Sequence, residues 1–500
     1  MDGGAGRQPP ERSLRTLTDQ ESRWQRAQRS RRRRMTQRGR LTIVTLIAAA
    51  LLSLAWLVGS TGAATGARTE AVPADASAAP SGAQETPSPA VSSAPLPSRV
   101  PGGLLERLPV TQAALDLPIR ARALAAEDES GRLYEEVDVG AFSPELAGPV
   151  RVEYTLESEL TRHVFQVLRK GRVALGNVVL LEPDGGRVLA YASTDLERFP
   201  PTRSYPAASL VKIVTAAAAL DRDPQTARLP CRYRGSPYRL TPSRIDPPVR
   251  GNTVTLRRAL ATSNNQCFAQ LAVHAVGLGP LMEAIDRFGW LNRPAPAHEA
   301  GSAEPAAERF DVGRLGCGLA GCRITPLHAA QLAAVLVHGE LVTPRWIERV
   351  IDARGRELPL PAAPARRQVL SALLAHELRA MLVDTTQSGT ARSAFRTRGG
   401  APLLGPVRVA GKTGSLSGED PDGRYEWFIG VAPAENPRVA VAVLLVQGDL
   451  WWRNASQVAA EVLRGVFCEG KRCSADRAAR FVRVPETTAA LDRLQRLAGS

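Results

Sequence analysis

The chain holds 64 lysines and arginines in 500 residues, yet only Lys170, Lys212, Lys412 and Lys471 are lysine. Lys212 stands in YPAASLVKIVTAAAAL, Tyr205 to Leu220, a stretch otherwise apolar and rich in alanine. Ser209 precedes it by three residues, so on a helix the two side chains share one face and can meet. A serine hydroxyl is a poor nucleophile until a neighbouring base takes its proton. A lysine amine can be that base where apolar surroundings disfavour its charged form. Arginine cannot lose its proton in a protein. That is a physical reason for lysine at this position in a chain that elsewhere prefers arginine. The bland alternative is a chance Ser-x-x-Lys whose amine snorkels to water.

Two further constellations bear on that choice. TSNNQ places Ser263 and Asn265 two residues apart, at a break between the helical runs TLRRALA and CFAQLAVHA. A hydroxyl and an amide in such a turn could relay a proton and hold a peptide carbonyl; the simpler reading is a helix cap. GKTG sets Lys412, Thr413 and Gly414 on a predicted strand, with Ser415 next. Glycine lets a substrate backbone come close, and the cation and hydroxyl could take a carboxylate. Its plain alternative is an exposed lysine that keeps an edge strand from aggregating.

These residues need a scaffold, and the pattern predicts one. YTLESELTRHVFQVLRKG reads as a helix capped by Thr155, with Leu156, Leu160, Val164, Val167 and Leu168 at helical spacing. NVVLLEPDGGRVLAYAS reads as a hairpin turning at Asp184 to Gly186. The Tyr205 stretch follows as a helix of about three turns. Helical segments dominate from Thr255 to about Met381, and TPLHAAQLAAVLVHG is the clearest of them. VRVAGKTGSL, YEWFIGVAP and RVAVAVLLVQ read as strands, and ASQVAAEVLRGVF as the last helix. That order implies a layered α/β domain whose antiparallel sheet joins both ends of the domain.

Charge and hydropathy place this domain outside a membrane. Residues 1–40 hold twelve arginines against four acids, so +8 of the formal net charge of +15 lies there. A basic arm can bind nucleic acid, but this one ends at LTIVTLIAAALLSLAWLV, Leu41 to Val58. Such a run reads as a transmembrane helix with its arginines kept on the cytoplasmic side. An uncleaved anchor is expected rather than a signal peptide, because forty residues make a long charged leader. No nucleic-acid partner is expected. Residues 59–103 are rich in Ala, Pro and Ser and read as a disordered tether. Residues 104–150 are expected to form a small helical or irregular subdomain, 151–467 the catalytic domain, and 468–500 a C-terminal tail.

Export also governs the six cysteines. Cys317–Cys322 and Cys468–Cys473 are each five apart and suggest local disulfides, leaving Cys231 with Cys267. Zinc held by the two short pairs is the weaker alternative. The six histidines show no close metal-ligand spacing, and no metal or cofactor is expected. Trp451 and Trp452 could line a peptide groove, although a packed loop is the simpler account.

Taken together and in this order, Ser-x-x-Lys, Ser-x-Asn and Lys-Thr-Gly resemble the signature of penicillin-binding proteins and serine β-lactamases. Over residues 151–467 the segments VEYTLESEL, GNVVLLEPDGGRVLAYAS, ITPLHAAQLAAVLVHG, SGTA (Ser388 to Ala391) and EWFIGVAP also resemble penicillin-binding transpeptidase domains. The resemblance implies a β-lactamase/transpeptidase-like α/β fold, with an antiparallel sheet flanked by helices. It implies that Ser209 attacks the D-alanyl-D-alanine carbonyl of a peptidoglycan stem peptide, with Lys212 as base. Ser263 would relay a proton, Asn265 would hold the donor peptide, and Lys412 with Thr413 would bind the terminal carboxylate. Lys412 would also depress the pKa of Lys212, and the amides of Ser209 and Ser415 would form the oxyanion hole. β-Lactams would be trapped as acyl-enzymes at Ser209.

The chain departs from the family at Ala207-Ala208, where Pro-Gly is usual, and at Ser415-Leu416, where Thr-Ala is commoner. Cys267, just past the Ser-x-Asn turn, is also unusual and could tie that turn to Cys231. Few residues separate the tether from the transpeptidase-like segment, which suits a monofunctional transpeptidase working with a separate membrane glycan polymerase. The rival activity is hydrolytic, a D,D-carboxypeptidase or β-lactamase. A class A β-lactamase would carry Glu-x-x-Leu-Asn, but Phe288 stands where that Glu would precede Leu291-Asn292. A class D enzyme would show Ser-x-Val in place of Ser263-Asn264-Asn265. A β-lactam sensor that acylates without turnover is a more distant alternative.

Overall fold

Strands Ala410–Glu419, Asp422–Ala432, Val439–Gln447, Leu175–Leu181 and Val188–Ser193 lie side by side in that order, antiparallel throughout. The sheet thus joins the hairpin near the start of the domain to the three strands near its end. This computed structural model describes residues 126–129, 131–138, 148–304, 307–360, 365–448 and 452–482. The expected anchor at 41–58 and tether at 59–103 lie outside them, as does Trp451.

The middle strand is apolar without a break from Val439 to Val446 because both faces of the sheet are covered. Val178, Leu180, Val441 and Val443 face the helices Ser158–Lys170 and Ala455–Phe467. Val179, Leu181, Ala442 and Leu444 face the opposite core, where Pro326–His338 and Val211–Arg222 pack. Period-two alternation along each strand sends successive side chains to opposite cores. Among the described residues, no single helix is long and apolar enough to cross a membrane.

The helix expected to begin at a Thr155 cap starts later. Val150–Glu157 is a strand, and the helix runs Ser158–Lys170. Thr155 instead donates its hydroxyl to the carbonyls of Val188 and Arg345, 2.8 and 3.0 Å away. The strand forms because Arg132–Val137 and Ile347–Ile351 pair with its two edges, and such tertiary pairing overrides a local helical pattern. The described part of 104–150 is likewise strand rather than helix: Ala126–Glu127 and Arg132–Val137 extend this second sheet. At the other end, Ala478, Phe481 and Val482 are buried against the core beyond residue 467.

Two disulfides form, Cys231–Cys267 and Cys468–Cys473. The expected Cys317–Cys322 bridge does not: both are free and buried. Cys468 and Cys473 are cross-strand partners. Cys317, in contrast, ends the helix Arg309–Cys317, and Cys322 opens a short strand through Ile324. The four residues between them serve a different contact, described below. Burial pushes the two thiols up to about 11 and about 12, so both stay protonated.

Candidate active site

Ser209 sits in a single tight turn, Ala208–Leu210, that runs directly into the helix Val211–Arg222. Every residue from Val211 to Leu220 is buried. Alanine at four successive positions, 216–219, lets neighbouring elements close around this helix. Lys212 is fully enclosed. Its Nζ lies 2.9 Å from Ser209 Oγ, so the face-sharing predicted from the spacing is present.

The snorkelling alternative fails at Lys212, because its amine points inward. Besides Ser209, Nζ reaches the carbonyl of Ser263 and its Oγ, both at 3.1 Å, and Asn265 Oδ1 at 2.6 Å. The Phe268 ring centroid lies 5.7 Å from the same amine. Burial lowers the Lys212 pKa to about 8, against a smaller opposing influence from Cys317. At that value a useful fraction of the amine is neutral near neutral pH, and a neutral amine can accept the Ser209 proton.

Ser263 lies in the turn between helices Leu256–Ala261 and Asn265–Gln270, and Asn265 opens the second helix. The capping role belongs to the residue between the two candidates: Asn264 accepts the backbone N–H of Cys267 at 3.1 Å. Ser263 and Asn265 are therefore free to turn toward Lys212. Ser263 adopts φ +56°, a left-handed conformation that is rare for non-glycine residues and recurs at functional sites. Asn265 donates its amide to the Tyr238 carbonyl at 2.9 Å, which ties it to the neighbouring loop.

Lys412 lies on the edge strand Ala410–Glu419, but it is not the exposed edge lysine of the plain reading. It is fully buried, with Nζ 2.9 Å from Ser263 Oγ and 2.7 Å from the Thr413 carbonyl. Burial, then repulsion from Lys212, lowers its pKa well below the ordinary range. Burial is the main cause of the shift at both amines, and the repulsion between them is mutual, so the pair disfavours two ammonium groups.

The free edge of the Lys412 strand faces the nucleophile turn. At Gly414 a Cβ would sit 3.3 Å from the Ala207 carbonyl and 3.4 Å from the Ala208 Cβ, so a larger residue would wedge strand from turn. Thr413 Oγ1 lies 2.6 Å from Thr390 Oγ1, and Ser415 Oγ accepts from Arg424 Nε at 2.6 Å. Thr390, Tyr238 and Arg424 border the site without having been assigned to it from sequence. Thr390 lies in the SGTA segment. Tyr238 and Arg424 carry no local motif that would have marked them.

Ala208 has φ +50°, in the region glycine prefers. It is held there by Gly318, whose own φ is +75° and whose Cβ, if present, would lie 1.9 Å from the Ala208 carbonyl. The backbone N–H of Ala207 donates to Cys322 at 2.9 Å. The 317–322 segment is therefore the floor beneath the nucleophile turn.

The penicillin binding protein transpeptidase domain matches residues 176–467. Peptidoglycan D,D-transpeptidase PbpA of Mycolicibacterium smegmatis is 27% identical over 344 residues, 59% of this chain and 67% of the relative. The Mycobacterium tuberculosis PbpA is 28% identical over 336 residues, 58% of this chain and 66% of the relative. Escherichia coli FtsI is 23% identical over 345 residues, 64% of this chain and 55% of the relative. The chain thus spans about two thirds of the length of the mycobacterial relatives and about half that of FtsI. The crystal structure of M. tuberculosis PBPA superposes with a TM-score of 0.53 at 23% identity, covering 63% of this chain and 81% of that one. Its ceftriaxone acyl-enzyme complex gives 0.54, also at 23% identity, covering 65% and 82%. At this identity the structural likeness speaks for the fold. The match over residues 176–467 takes in more than half of the 500 residues, and the chain belongs to the penicillin-binding protein transpeptidase family.

Proposed function

We propose that the chain is a membrane-anchored D,D-transpeptidase that cross-links peptidoglycan stem peptides through an acyl-enzyme at Ser209 and is acylated there by β-lactams. The observation that carries this reading is the enclosed Lys212 amine, 2.9 Å from Ser209 Oγ and lowered to about 8. The names of the PbpA relatives and the acyl-enzyme of M. tuberculosis PBPA support it.

In the proposed reaction neutral Lys212 takes the Ser209 proton as Oγ attacks the carbonyl carbon of the penultimate D-alanine. The oxyanion forms against the N–H groups of Ser209 and Ser415, each donor worth about 3–4 kcal/mol. The C–N bond then breaks, and the departing amine receives a proton from Lys212 through Ser263 Oγ, which touches both lysines. Thr413, Thr390 and Lys412 hold the terminal carboxylate. An incoming carboxylate offsets the burial cost of a charged Lys412, which favours a cation there and keeps Lys212 neutral. The amine of a second stem peptide repeats the sequence in reverse, losing its proton to Lys212 and releasing Ser209.

In this reading residues 1–40 are cytoplasmic, 41–58 cross the membrane once, and 59–103 tether the extracytoplasmic domain. A separate membrane glycan polymerase supplies the glycan strands. Labelling with a fluorescent penicillin tests the core of the proposal. The native chain takes the label covalently, while Ser209→Ala and Lys212→Arg do not. Normal acylation of Lys212→Arg, which keeps the charge but cannot act as a base, would overturn it.

A further inference from the structure

Between Arg228 and Arg250 the chain carries six arginines and one acid, Asp246. Arg228, Arg232, Arg234, Arg239 and Arg250 are exposed, and Arg244 is half-buried. Among the described residues none of the six pairs with a carboxylate; the recorded bonds of Arg232 and Arg244 go to the carbonyls of Val249 and Arg239. Asp246 is already engaged by Arg309 at 3.0 Å and His274 at 3.1 Å. Elsewhere on this surface arginines are commonly paired, as Arg203 is with Asp420 and Arg480 with Glu159. Six uncompensated cations on one short segment repel one another, so folding alone gives no reason to keep them together.

The segment is also held firmly against the active site. Cys231–Tyr233 and Asn252–Val254 pair as a small hairpin. The Cys231–Cys267 disulfide fastens it to the helix whose first residue is Asn265. Gln266 donates to the carbonyls of Arg234 and Ser236 at 2.9 and 2.7 Å, and Gln270 to that of Arg232 at 3.1 Å. The Pro237 carbonyl accepts the N–H of Asn265 at 2.9 Å, and the Tyr238 carbonyl accepts its side-chain amide. Tyr238 itself is 55% exposed. A rigid cationic shelf thus begins at a residue that touches Lys212 and runs outward from it.

We propose that this disulfide-stapled arginine hairpin is a docking surface for peptidoglycan, recognising the carboxylates of stem peptides next to the one being processed. The proposal rests on the transpeptidase reading. A cross-linked polymer presents anionic peptides at many points, so a shelf of several cations gains by multivalency what no single exposed pair supplies. Continuity with Asn265 favours the polymer over an anionic membrane surface, because polymer bound on the shelf lies beside the groove that must receive its peptides.

The test is co-sedimentation of the full chain, in detergent, with insoluble peptidoglycan stripped of attached phosphate polymers, with phosphatidylglycerol or phosphatidylcholine mixed micelles as soluble competitors. The charge-reversed variant Arg232→Glu/Arg234→Glu/Arg250→Glu is expected to lose about tenfold or more in peptidoglycan capture. The variant with lysine at the same three positions keeps it. Native capture weakens as salt rises to about 0.5 M, where the screening length is only a few ångströms. Fluorescent-penicillin labelling of each variant reports whether its groove is assembled. Undiminished capture by the charge-reversed chain overturns the proposal, as does loss of capture only in step with loss of labelling. Displacement from peptidoglycan by phosphatidylglycerol micelles, where phosphatidylcholine micelles do not displace it, also overturns it, in favour of a membrane surface. Ser209→Ala separates the two readings: it abolishes labelling and leaves capture intact. A native chain that captures peptidoglycan but never labels refutes the transpeptidase assignment instead.

Discussion

Lys212 and Lys412 share one acceptor, Ser263 Oγ, which lies 3.1 Å from the first amine and 2.9 Å from the second. Both amines are fully buried, and among the described residues their hydrogen bonds go to hydroxyls, carbonyls and the Asn265 amide rather than to a carboxylate. Two ammonium groups so placed repel each other strongly, since the interior screens them little. In the proposed reaction the hydroxyl between them is where a proton passes. Replacing Ser263 with alanine removes that bridge and leaves both amines without their common partner. Acylation by penicillin should fall by about a hundredfold, the usual scale for a lost proton-transfer group. Stopped-flow acylation rates check this, and a change below about threefold would remove Ser263 from the proton path.

The pH dependence follows from the same burial. With Lys212 at about 8, roughly one molecule in ten holds a neutral amine at pH 7. The acylation rate should therefore rise about tenfold from pH 7 to a plateau above pH 9, with its midpoint near 8. Stability moves in the same direction. The unfolded amine titrates near 10.5, so between about 8 and 10.5 the unfolded chain binds more protons and stability climbs with pH. Below pH 8 the full cost, about 3 kcal/mol for this group, is present. Lys412 adds to this rise and the raised Cys317 and Cys322 thiols oppose it above about pH 9, so the readout is the comparison with Lys212→Met: the native urea midpoint should rise relative to that of the variant as pH climbs from about 8 to 10.5. A difference between the two that does not vary with pH would contradict the placement of Lys212.

Ala208 and Gly318 make a matched pair with opposite expectations. Ala208→Gly relieves a left-handed alanine, worth about 1–2 kcal/mol, against about 0.4–1 kcal/mol of extra unfolded-state entropy. The chain should gain up to about 1.5 kcal/mol and still take penicillin. Gly318→Ala should cost at least about 2 kcal/mol and slow acylation, because its methyl would occupy the place of the Ala208 carbonyl. Thermal unfolding with parallel labelling distinguishes the two. Equal effects would mean that the floor of the nucleophile turn yields freely.

What could be read from the sequence was whatever a local pattern specifies. The hairpin Leu175 to Ser193 and the strand Val439–Gln447 are rich in apolar residues and bounded by turns, so their type and order are legible. The meeting of Ser209 with Lys212 follows from helical spacing alone. Thr155 was misread because its partner Arg345 is 190 residues away and leaves no trace in the local spacing. The helix-cap alternative for TSNNQ was right in kind and wrong in residue, since Asn264 rather than Ser263 or Asn265 holds the cap. Cys317 and Cys322 share the spacing of Cys468 and Cys473 but not their cross-strand geometry. Spacing cannot separate a hairpin from a helix end followed by a strand.

The cysteines give the last prediction. Two disulfides and two buried thiols account for all six cysteines. The native chain should resist alkylation, because Cys317 and Cys322 are enclosed and their pKa values are raised. Unfolding without reductant should add two alkyl groups, and unfolding with reductant six. No adduct before reduction would mean that the 317–322 segment is bridged after all, and the floor beneath Ala208 would then have to differ from the one described. Of the two bridges, Cys231–Cys267 spans 36 residues, so its loss should cost about 3–4 kcal/mol. Because it also anchors the loop that holds Asn265, replacing both cysteines with alanine should slow acylation more than the equivalent change at Cys468 and Cys473. Parallel acylation rates for the two double variants decide this. Equal rates would show that Asn265 keeps its place without the staple.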